Sequence, residues 1–118
     1  MRVKLPPILA LAMLVLAGCA NDPAPAEQMR LTRQAVEQAR AVGADQQVEE
    51  MRLAEQKLAR AEKNMGEEDY KRARHFAEQA ELDARLAEAK VLNLKSQKQL
   101  DEMNARIARL RKQLGELP

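Results

Sequence analysis

The chain is poor in the residues that build reactive sites. Of its 118 residues one is cysteine, one is histidine, two are aromatic and none is tryptophan. A single cysteine, Cys19, excludes an internal disulfide. Tyr70 and Phe76 are too few to stack successive bases, which removes the aromatic platform of single-strand nucleic-acid binders. His75 has no second histidine or cysteine with which to frame a metal site or a nucleophile–base pair. No glycine-rich phosphate loop and no serine in a sharp strand-to-helix elbow is present. The expectation is therefore no enzyme, no cofactor and no small-molecule substrate.

Charge of one sign is also lacking. The formal net charge is +2, with 20 Lys and Arg against 18 Asp and Glu. Arg2 and Lys4 supply that excess at the N-terminus, so residues 19–118 carry a formal net charge of about zero. No long-range field remains to draw nucleic acid or an anionic surface. Large apolar residues are scarce beside alanine, so a thick core is out of reach. Helices packed side by side are what the composition supports.

What is present begins with a basic start (Arg2, Lys4), an apolar run from Ile8 to Ala17, and then Leu16-Ala17-Gly18-Cys19. The run is shorter than the roughly 20 residues a spanning helix needs. The arrangement resembles the lipobox of bacterial lipoproteins, where signal peptidase II cuts before the cysteine and a diacylglycerol thioether forms on its sulfur. That resemblance implies residues 1–18 as signal peptide, cleavage between Gly18 and Cys19, and lipid attachment at Cys19. Ala20 stands where an aspartate would retain a Gram-negative lipoprotein in the inner membrane. The resemblance thus implies a periplasm-facing protein anchored in the outer membrane by its N-terminal lipid.

Residues 19–26 then form the lipidated cysteine and a tether that Pro23 and Pro25 hold extended over about 20 Å. The first helix is expected over Glu27–Val42, with Leu31, Ala35, Ala39 and Val42 near one side, and Gly43 breaks it. A second helix over Asp45–Met65, capped by Asp45, lines up Met51, Ala54, Leu58, Ala61 and Met65 on one face. Gly66 suits the left-handed residue that ends it, and Glu67, Glu68 and Asp69 suit the start of a third helix. From there to Leu114 no proline or glycine interrupts the chain. The fold class is all-α: an antiparallel helical hairpin with a shorter N-terminal helix, whose last helix runs on into a coiled-coil-like tail. The expected units are the hairpin, 27–91, and the tail, 92–118.

Two apolar lines run along the third helix. Ala73, Ala77, Ala80, Ala84, Ala87, Val91 and Leu94 form a line of mostly small residues that lets the second helix approach closely. Leu82, Leu86 and Ala89, then Asn93 and Ser96, then Leu100, Met103, Ile107, Leu110, Leu114 and Leu117 hold one heptad register, with Asn93 at an a position and Ser96 at a d position. The lines are offset by two residues, about 200° around the helix, so they face opposite ways. The first helix is expected over the upper part of the second line. The tail residues Leu100, Met103, Ile107, Leu110, Leu114 and Leu117 remain as an uncovered seam for a second copy or another envelope protein. The other dispositions of this end are a frayed amphipathic helix or one laid on anionic lipid.

Ala41-Val-Gly-Ala44, Leu58-Ala-Arg-Ala61, Gly66 followed by Asp69-Tyr70-x-x-Ala73, Ala77-Glu-Gln-Ala80 and Asp83-Ala-Arg-Leu-Ala87 together resemble the domain-of-unknown-function 4398 family. Glu67 and Glu68 stand between the glycine and the Asp-Tyr pair, which are adjacent in that family's usual turn. The resemblance implies a short helical envelope protein of Gram-negative bacteria. Together these readings point to a non-enzymatic, lipid-anchored structural or interaction protein, with an accessory module presenting its hairpin to an envelope enzyme or secretion complex as the alternative.

Overall fold

The computed structural model describes residues 22–115. Three helices follow one another: α1 (Ala26–Ala41), α2 (Glu49–Gly66) and α3 (Tyr70–Gly115). No strand occurs among the described residues. The 46 residues of α3 make a rod of about 69 Å.

The apolar spacing accounts for the packing. On α3 the line Ala73, Ala77, Ala80, Ala84, Ala87 and Val91 is buried along its length. Methyl side chains leave a shallow groove into which neighbouring helices settle at short range. Both α1 and α2 use it. Ala35, Val36 and Ala39 of α1 and Met51 and Ala54 of α2 share one core with Ala84, Ala87 and Val91, joined by Ala44 from the loop. Nearer the α2–α3 turn, Met29, Ala61 and Ala77 form a second core, against which Phe76 and Leu58 pack. Of the side expected on α1, Ala35 and Ala39 are buried and Leu31 and Val42 only partly so; Met29, Thr32 and Val36 complete the buried face.

Polar contacts set the direction of each helix. Arg33 pairs with Glu62 and Arg40 with Glu55, so α1 and α2 run antiparallel. Lys57 pairs with Asp83 at 2.6 Å and Lys90 pairs with Glu50, so α2 and α3 are antiparallel as well. The Thr32 hydroxyl donates to the Gln28 carbonyl at 2.8 Å and lies 2.9 Å from the carbonyl oxygen of Ala77. A side chain this short spans two helices only where their backbones nearly touch.

The two connections share a hydrogen-bond scheme but not a residue type. After α1, Gly43 (φ +97°) is left-handed, with Gly43 N–H donating to the Arg40 carbonyl and Ala44 N–H to Ala39. After α2, Glu68 (φ 60°) takes that place, with Glu68 N–H donating to the Met65 carbonyl and Asp69 N–H to Asn64. Both are Schellman motifs. Gly66 is therefore the last residue of α2 rather than its left-handed terminator, because the two extra glutamates carry the chain two residues further before it turns. α3 starts at Tyr70 instead of near Glu67. The Asp69 carboxylate caps it, accepting from Arg72 N–H at 3.1 Å. Asp45 does not cap α2, which begins after Val48. Its carboxylate instead accepts from Gln47 N–H at 2.9 Å and closes a turn.

Candidate interaction surface

The residues on either side of Leu82 explain what the bundle leaves open. Glu81, one residue before it, accepts from Gln28 of α1 at 2.7 Å, and Asp83, one residue after it, pairs with Lys57 of α2. One helix therefore lies on each flank, with the alanine line between them, and Leu82 points the opposite way. The same division recurs one and two heptads on, where Lys90 engages Glu50 of α2 and Lys95 donates to the Val42 carbonyl at the end of α1 at 2.6 Å.

The expectation that α1 covers the upper part of the leucine line is thus wrong. Leu82 is 67% exposed, Leu86 49%, and Ala89 is exposed as well. The alanine groove holds two helices side by side, so neither is left to reach around α3. Leu94, placed by its spacing on the alanine line, is also exposed, because α1 and α2 end level with Val91 to Lys95. From Leu92 to Gly115 every residue of α3 is exposed over about 36 Å.

On this stretch stand Leu100, Met103, Ile107, Leu110 and Leu114, between 43 and 69% exposed. Helical spacing places them on one side of α3 in continuation of Leu82 and Leu86. The uncovered line is longer than the tail alone, running from Leu82 to Leu114. Leu117 lies outside the described residues, as do Gly18 and Cys19.

The charged rim of the bundle is locally paired. The Arg85 guanidinium, and next Gln28, hold the Glu81 carboxyl below its usual value. The Lys90 ammonium does the same for Glu50, whose other carboxylate oxygen is buried without a partner. Phe76 packs near the α2–α3 turn, with the Arg60 guanidinium 5.7 Å from its ring centre. Tyr70 is half-buried at the start of α3. His75 is exposed against Gln79, and among the described residues no group of three or more His, Cys, Asp or Glu could hold a metal ion. Nor is any described helix long and apolar enough to cross a membrane.

Residues 22–25 do not stand off as a free spacer. Pro25 is buried, and Arg74 of α3 reaches the Pro23 carbonyl at 3.5 Å. The chain therefore enters the bundle at the α2–α3 turn, while the exposed end of α3 leaves from the opposite end. Sequence spacing missed the Thr32 and Lys95 contacts, because each joins groups 45 and 53 residues apart. The burial of Thr32 was signalled by its place between Met29 and Val36 on one helical face.

Comparison with known proteins supports the same architecture. No match is found among curated proteins. A crystal structure of a DUF4398 family protein from Pseudomonas aeruginosa PAO1 is 63% identical, with a TM-score of 0.79, covering 80% of this chain and 98% of that one. Residues 27–103 match the family described as Domain of unknown function (DUF4398), so the alanine-lined helical bundle described above belongs to a member of the DUF4398 family.

Proposed function

We propose that this protein is a non-enzymatic, lipid-anchored component of the bacterial envelope that acts by binding protein through α3. The observation that carries this reading is the line of large apolar side chains from Leu82 to Leu114, uncovered while alanines fill the core. Solvation of so many aligned leucines is unfavourable, and their burial against another helix recovers free energy. The anchor rests on the Leu16-Ala17-Gly18-Cys19 resemblance, which also suggests the outer membrane with the bundle in the periplasm. Chain entry at the α2–α3 turn supports an arrangement in which that turn faces the lipid and the end of α3 projects away.

Two variants of the full chain test the two halves of the proposal. Cys19→Ser is expected to release the protein from salt-washed membranes, and its retention there would remove the anchor. Leu110→Asp is expected to reduce the mass of the detergent-solubilised particle to that of a monomer, with helix content unchanged by circular dichroism. An unchanged mass would remove α3 from the interaction.

A further inference from the structure

Resting on the reading of α3 as an interface, we infer that its occupant is a second copy of this chain, aligned parallel and in register from Leu82 to Leu114. The uncovered line holds one heptad register: Leu86, Asn93, Leu100, Ile107 and Leu114 at a, with Leu82, Ala89, Ser96, Met103 and Leu110 at d. Its seven large apolar side chains are 43 to 69% exposed, leaving about 700 Å² per copy to bury, close to the roughly 800 Å² per partner of a stable interface.

Asn93 and Ser96 decide the alignment. A polar side chain at a core position is tolerated where it meets a polar partner and is costly against leucine. Parallel pairing in register sets Asn93 against Asn93 of the second copy and Ser96 against Ser96 of the second copy, and every leucine meets an apolar equivalent. One antiparallel arrangement also matches Asn93 with Ser96 of the second copy. It then sets Leu110 and Leu114 opposite Gln79 and His75, so the end of the line stays wet. The parallel arrangement buries all of it. It also places both chain entries at the same end, which suits two lipids in one membrane. The same arrangement brings two like-charged pairs together. Arg85, paired within its own chain to Glu81, falls beside Lys90 of the second copy, itself paired to Glu50. Arg106 falls beside Arg111 of the second copy. Glu102, four residues before Arg106 in the favourable order, offsets that second repulsion, and salt screens the remainder.

Cysteine cross-linking of the full chain in membranes tests this directly. Leu100→Cys (a) and Leu110→Cys (d) are each expected to give a disulfide-linked homodimer on oxidation with copper phenanthroline. The yield should be at least tenfold above that of Lys98→Cys, on the far side of the helix, and of the parent chain carrying Cys19 alone. Homodimers absent at both positions, with Leu100→Cys instead linking to a co-expressed Ala89→Cys chain, would establish the antiparallel pairing and overturn the inference. Linkage of both variants to a different protein would also overturn it, while leaving α3 as the protein-binding element. No linkage of any kind, in variants with parental helix content, would overturn both.

Discussion

The two faces of α3 carry similar apolar patterns and meet opposite fates. One is alanine, repeated by threes and fours and buried under two helices. The other is mainly leucine, methionine and isoleucine at the same spacings, and it faces solvent. Hydrophobicity alone would bury the larger residues first. What wins is fit: α1 and α2 are themselves rich in alanine and shared close approach, and a groove of methyl groups admits both at once. Two such helices could not pack as tightly over leucine, and the Thr32 hydroxyl would not reach Ala77. The small face holds the bundle together, and the large face is left uncovered.

The sharpest way to break the contrast is to put a large residue on the small face. Ala84→Leu is expected to destabilise the bundle by about 3 kcal/mol in urea unfolding, since the added carbons have no space between three backbones. Leu100→Ala on the other face is expected to change monomer stability by less than about 0.5 kcal/mol. Equal effects would refute the division of roles. The close approach is tested by Thr32→Val, which keeps shape and removes the buried hydroxyl. A loss of about 1 kcal/mol is expected by the same measurement.

The two Schellman turns offer a smaller test. Gly43 and Glu68 occupy equivalent left-handed positions, so Glu68→Gly is expected to stabilise the protein and Gly43→Ala to destabilise it, each by about 0.5–1 kcal/mol. A reversed sign at either site would show that a contact, rather than backbone strain, governs it.

The rim of the buried face gives a pH dependence. The Glu50 and Glu81 carboxyls have folded-state values below the ordinary 4.5, so their contribution is fully present above about pH 4.5. It is lost as the pH falls through those lowered values, when the carboxyls protonate and release Lys90, Arg85 and Gln28. Glu50→Gln and Glu81→Gln are each expected to flatten the acid limb of stability against pH. An acid limb unchanged in the double variant would assign it to other carboxylates.

Much of the architecture was legible along the chain because helix geometry is local. Spacings of three and four place residues on one face whatever the rest of the molecule does, and glycine beside a run of acids marks a turn. The same periodicity marked Leu100, Met103, Ile107, Leu110 and Leu114 as a line before any packing was known. Family membership followed from the alanine and turn pattern. Fine positions were less legible. Glu68, rather than Gly66, turns the chain, since the hydrogen bonds of the turn offset the strain of a left-handed glutamate.

By itself, the sequence determined three helices, the opposition of the two faces of α3 and the length by which that helix outruns its neighbours. These depend on 3.6 residues per turn and on where helix breakers are absent. Only the tertiary structure decided that α1 lies beside α2 on the alanine face instead of capping Leu82 and Leu86. That choice depends on how three surfaces fit at once, through contacts such as Gln28 with Glu81 and Lys95 with Val42 that span more than fifty residues and carry no local periodicity.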